Sequence, residues 1–142
     1  LERVLKRFET EVQLVLYPFV LNPTSEVATQ VVWCAGEQGK FWDMHRVLYA
    51  RQTEWSRLSN PLARLLEFAQ DIRLDTAALK SCVSSGRMQP LIKADKDYGR
   101  SLQVHSTPTL FINEQRLVGV QSEVEIIRAM QRELARVQRS SQ

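Results

Sequence analysis

At 142 residues, with 44% hydrophobic and 25% charged residues, the chain has one domain's length and an ordinary globular composition. This excludes a disulfide-stapled miniprotein and, with only five Gly and five Pro, collagen-like and low-complexity classes. The formal charge of +3 is scattered among Asp and Glu, so nucleic acid is not an expected partner. The longest run free of Asp, Glu, Lys and Arg, residues 12–25, has 14 residues and two prolines. A membrane span needs about 20 apolar residues, and no membrane insertion is expected.

Leu1, Val4, Leu5 and Phe8 form one apolar stripe, which predicts an amphipathic helix. No Ser, Thr, Asp or Asn precedes it, so its first turn is expected upstream of Leu1. Residues 12–20 read as a largely buried strand ended by the Asn22-Pro23 turn signal. A helical block follows to about Leu102, with Val27, Val31 and Cys34 on one stripe and Phe41, Met44, His45 and Leu48 on the next. Asn60 is the expected N-cap of a third helix, with Pro61 at its first position and Leu62, Leu65, Leu66 and Ala69 inward. Asp75 caps a helix carrying Ala78, Leu79 and Cys82, closed by Gly86, and Pro90 opens another. Residues 109–112 and 116–120 then read as a hairpin joined by Asn113, Glu114 and Gln115. Ser122 caps a last helix with Val124, Ile127, Met130, Leu134 and Val137 inward, fraying over residues 139–142.

Two segments in this order carry a resemblance. Val104-His105-Ser106-Thr107-Pro108-Thr109-Leu110-Phe111-Ile112-Asn113 resembles the "xTPTxFIN" segment of thioredoxin-fold disulfide oxidoreductases. Cys34-Ala35-Gly36-Glu37-Gln38-Gly39-Lys40-Phe41-Trp42-Asp43-Met44-His45 resembles the "cAxeQGkFWeMH" segment of their DsbA-like branch. The resemblance covers nearly the whole chain and implies one α/β domain over residues 1–142. Its fold would be a thioredoxin fold with a helical insertion at about 24–86. It also implies a CxxC at the start of the helix after the central strand, and no CxxC is present. An N-terminal truncation is therefore expected, removing that strand and the start of the active-site helix, with the catalytic cysteines upstream of Leu1. Residues 12–20 and 109–112 would then flank a missing strand. A chain that natively lacks the motif is the rival account.

Thiol exchange needs an exposed thiolate and a second cysteine to resolve the mixed disulfide. Cys34 and Cys82 lie on apolar helical stripes, which leaves a structural disulfide or two inert buried thiols. The resemblance implies an oxidising envelope compartment, periplasmic or secreted, and with it the disulfide. It further implies that Pro108 follows a cis peptide bond. Ser106, Thr107 and Pro108 would then form a loop whose backbone before the proline pairs with an extended peptide. His105, two residues before Thr107, can place an imidazolium near the absent thiolate or simply face solvent. His45 reads as a core histidine, and no spacing among His45, His105, Cys34 and Cys82 supports a metal site. Trp33, Phe41, Trp42, Tyr49 and Trp55 read as core, and Arg128, Arg132, Arg136 and Arg139 as a solvated helix face.

The function implied is a thiol:disulfide oxidoreductase of the cell envelope, inactive as given and without a cofactor. Its partners would be extended or unfolded proteins with cysteines and a membrane or soluble redox protein. The Val32-Trp33-Cys34-Ala35 run also resembles the DsbC-like isomerase branch, leaving oxidation and isomerisation both open. A kappa-type glutathione-dependent transferase or isomerase and a redox-inactive peptide-binding module are the alternatives.

Overall fold

A computed structural model describes residues 1–140 and divides them into two compact units, Tyr17–Gly99 and a second built from Leu1–Leu16 with the chain from Arg100 onward. The larger unit is helical. Its helices are α2 (Pro23–Gly36), α3 (Phe41–Ala50), α4 (Leu62–Asp71), α5 (Thr76–Ser85) and most of α6 (Gln89–Ser101). The smaller unit holds α1 (Glu2–Arg7), the strands β1 (Thr109–Ile112) and β2 (Gln115–Val118), and α7 (Glu123–Ser140). Of the residues expected to fray, Arg139 and Ser140 are helical, while Ser141 and Gln142 lie outside the described residues.

Local chemistry sets the helix ends. The Asn22 side chain accepts from the Ser25 backbone N–H, and the Ser25 hydroxyl closes the reciprocal half of a capping box, with Pro23 pre-set in the first turn. Asp75 accepts from the Ala78 N–H at 2.9 Å, and Gly86 ends α5 at φ 66°, a conformation that costs glycine little. The cap of α4 is displaced by one residue. Pro61 is the N-cap itself and Leu62 the first helical residue, yet the Asn60 side chain still accepts from the Leu62 N–H at 3.2 Å.

Helix α2 packs against α3, α4 and α5, and Val31, Cys34, Ala35, Met44, Leu65, Phe68, Ala69, Leu79 and Cys82 make a buried core. The indole N–H of the buried Trp55 donates to the Leu48 carbonyl at 2.9 Å, which satisfies its polar edge. Trp33 and Phe41 are half-buried and pack against this core, 5.4 Å apart between centroids. Trp42 and Tyr49 (68% exposed) depart from the core reading and continue the chain of rings through His45 along the surface.

A guanidinium clasp closes this unit over Phe68. The Arg51 fork donates to both Glu54 carboxylate oxygens at 2.8 and 3.0 Å and to Asp71 at 2.7 Å, while Arg64 bridges Glu54 and Glu67. Hydrogen bonds from Arg51 first, then Arg64, outweigh desolvation and hold the Glu54 carboxyl down to about 2. A folded-state pKa below the unfolded value of about 4.3 gives stability present above that value and lost as pH falls toward about 2. Acid unfolding midpoints should therefore drop more steeply between about pH 4.5 and 2 in the wild type than in Glu54→Gln. Equal slopes for the two proteins would show that the clasp contributes nothing.

Residues 12–20 do not form the expected strand. Among the described residues the backbone from Gln13 to Leu21 makes no ladder, and the sheet consists of β1 and β2. Half-burial at 12, 14, 16 and 18 alternates with exposure at 11, 13, 15 and 17. The segment keeps a strand's two-residue period but has no neighbour to supply hydrogen bonds among the described residues. At its far end Tyr17 stacks on Tyr98 with centroids 5.2 Å apart, and Phe19 lies against Gly99, where a Cβ would meet the ring at 3.0 Å.

In the smaller unit Val4, Phe8, Ile126 and Met130 form a compact cluster, with Leu5, Val12, Leu110, Ile112, Ile127 and Leu134 packed on it. Ile126, Ala129 and Met130 are the buried residues of α7, whereas Val124 and Val137 are exposed. The inward stripe is thus rotated toward the small Ala129, which a search for large apolar residues passes over. The Ser122 hydroxyl accepts from the Glu125 N–H while the Glu125 carboxylate accepts from the Ser122 N–H, the capping box expected of Ser122.

Candidate functional site: the proline loop

The loop of residues 102–108 connects α6 to β1. Gln103 turns the chain at φ 56° after α6, Val104 is buried and anchors the loop, and His105, Ser106, Thr107 and Pro108 are exposed. The Thr107–Pro108 peptide bond is cis. Downstream, the Gly119 N–H donates to the Pro108 carbonyl at 2.8 Å, and the Thr109 hydroxyl donates to the Ser106 carbonyl at 2.7 Å. Gly119 does so at φ 80°, where a side chain would be strained.

The hairpin fixes what this loop presents. Ile112 pairs with Gln115, Phe111 with Arg116, Leu110 with Leu117 and Thr109 with Val118 across a two-residue turn that Asn113 starts at φ 52°. In this register Leu110 and Ile112 exchange their backbone hydrogen bonds with β2. The N–H and C=O of Thr109 and Phe111 therefore point to the open edge. Thr107 continues that edge, its own N–H and C=O without a hydrogen bond among the described residues. An exposed strand edge with unpaired donors and acceptors is a template for an extended peptide.

Upstream, the loop is held by a residue that composition and spacing did not single out. Arg116 donates through Nη1 to the Leu102 carbonyl at 3.1 Å and through Nη2 to the Gln103 carbonyl, and its Cζ stands 5.6 Å from the Phe111 ring centroid. An Arg cross-strand from an aromatic residue in a short hairpin is the only sequence signal for it.

Cys34 and Cys82 are joined in a disulfide with Cα atoms 5.9 Å apart, each about 1% exposed, in the larger unit. No thiol is free among the described residues. His45 sits half-buried between Phe41 and Tyr49, at 6.3 and 4.8 Å between centroids, a place in the ring chain and not in the core. No group of three or more His, Cys, Asp or Glu among the described residues could hold a metal ion. On α7, Arg132 reaches Gln115, and Arg136 pairs with Glu133 and Glu114, so that face is partly engaged with the hairpin turn.

Comparison with known proteins decides the family. The profile of the family described as Thioredoxin matches residues 2–132. The chain belongs to the thioredoxin family. The mostly helical chain with its small two-stranded sheet is consistent with an α/β thioredoxin fold with a helical insertion. Among curated proteins, the chain is 33% identical over 96 residues to Na(+)/H(+) antiporter NhaA 1 of Salinispora arenicola, covering 68% of this chain and 14% of that protein. It is 28% identical over 116 residues to Na(+)/H(+) antiporter NhaA 1 of Mycobacterium sp. strain KMS, covering 78% and 18% respectively. The thioredoxin-family chain thus spans less than a fifth of the length of these relatives. No solved structure matches it significantly.

Proposed function

We propose that this chain is the substrate-holding part of a DsbA-like thiol:disulfide oxidoreductase acting on extended, cysteine-containing proteins in an oxidising envelope compartment. The carrying observation is Thr107, exposed at the end of an open strand edge with its N–H and C=O unpaired. A peptide laid along this edge accepts from the Thr107 N–H and donates to the Thr107 carbonyl, adding a strand beside β1 whose side chains are not read. Such main-chain recognition suits an enzyme that must take many unfolded substrates. The Cys34–Cys82 bond supports the compartment, since disulfides persist where thiols are not kept reduced. Both sulfurs are buried and spent in that bond, so neither serves as the attacking thiolate. The antiporter names belong to proteins of which the match covers less than a fifth.

Titration with an extended cysteine-containing peptide, followed by amide chemical shifts, tests this reading. Shifts are expected to centre on Ser106, Thr107, Thr109 and Phe111, and to vanish with the same peptide N-methylated at its central amides. Equal binding of the methylated peptide, or shifts centred on α7 instead, would overturn it.

A further inference from the structure

We infer that Arg116 is the positioning residue of the proline loop, holding its entry by clamping the carbonyls of the two residues that follow α6; its consequence for peptide binding rests on the reading just given. The loop is tied at two ends by different means. Its exit is fixed by the hairpin itself, through the Gly119 N–H on the Pro108 carbonyl and the Thr109 hydroxyl on the Ser106 carbonyl. Its entry has no such ladder. The Leu102 and Gln103 carbonyls belong to the turn that directly follows α6, which ends at Ser101. Arg116 supplies both missing donors from the neighbouring strand.

The geometry explains why an arginine stands there. Two carbonyls on successive residues need two donors from one rigid planar group, which a guanidinium offers and an ammonium does not. Phe111, directly cross-strand, lies beside the guanidinium and limits its rotamers. The C-terminal end of a helix also favours a positive charge. Among the described residues the entry is otherwise held by the buried Val104 and by the Gln103 N–H, which donates to the Arg100 carbonyl at 2.8 Å. Neither holds residues 105–107, so without the clamp the Thr107 backbone samples orientations that no longer line up with the β1 edge.

Arg116→Met, Arg116→Lys and Phe111→Leu test the inference, each read by backbone 15N order parameters and by the peptide titration. In Arg116→Met the order parameters of His105, Ser106 and Thr107 should fall below about 0.6 while those of residues 109–118 stay near about 0.85. Peptide affinity should fall about tenfold. Arg116→Lys, whose ammonium has donors but no planar fork, should restore the loop only partly, and Phe111→Leu should shift it in the same direction by less. Order lost uniformly across hairpin and loop would reduce Arg116 to a general stabiliser and overturn the inference, as would an unchanged loop. Because the order parameters need no ligand, a wild type that fails to bind peptide refutes the function proposed above while leaving this test intact.

Discussion

Replacing Cys34 and Cys82 together with alanine should lower the unfolding free energy of the Tyr17–Gly99 unit by about 4 kcal/mol, the value the chain-entropy relation gives for a closed loop of this length. The two residues are 48 apart in sequence, and the bond ties α2 to α5 across the centre of the core. Closing so long a loop removes many conformations from the unfolded chain, and a marginally stable domain holds only about 5–15 kcal/mol in all. Cooperative urea unfolding with and without reductant measures the effect. The wild type under reducing conditions should approach the double variant, separating the cross-link from the lost sulfur packing. A loss below about 1 kcal/mol would mean that the unfolded chain is already confined by other contacts.

How much of this was legible in the sequence depends on the kind of interaction. Features decided within four residues were readable: the Ser122 cap, the Asp75 cap, the Gly86 stop and the hairpin over Asn113 all follow from local chemistry, whereas Asn22, read as a turn signal, is the N-cap of α2. The segment 12–20 shows the limit. Its Val, Leu and aromatic content favours extended backbone, and its burial alternates with a strand's period, but a strand also requires a partner that no local pattern can name. The aromatic run misled for a related reason, since helical spacing places Trp42 and Tyr49 on a face without saying whether anything covers it. At the site, the Thr107-Pro108 motif pointed to the loop. Arg116 stayed hidden because its work is done on carbonyls 13 and 14 positions away, and backbone acceptors leave no trace in side-chain identity.

Phe68→Ala should be the most damaging single truncation in the larger unit, costing about 3–5 kcal/mol. The ring is fully buried against the Leu65, Ala69 and Leu79 core, so its removal loses transfer free energy and leaves a cavity that neighbouring helices fill only in part. It also has a polar duty. The Arg51 guanidinium lies 3.8 Å and that of Arg64 5.3 Å from the ring centroid, so both cations that hold Glu54 rest on one aromatic face. Phe68→Leu retains apolar bulk but offers no π-face, and should cost about 1–3 kcal/mol. The two roles separate in a double-mutant cycle of Phe68→Leu with Arg51→Met, read by denaturant midpoints at constant slope. A coupling of about 0.5–2 kcal/mol is expected if the ring supports the clasp, and in Phe68→Leu the acid sensitivity assigned to Glu54 should weaken with it. Additive effects within about 0.3 kcal/mol would instead confine Phe68 to filling space, and the clasp would then owe its geometry to the carboxylates alone.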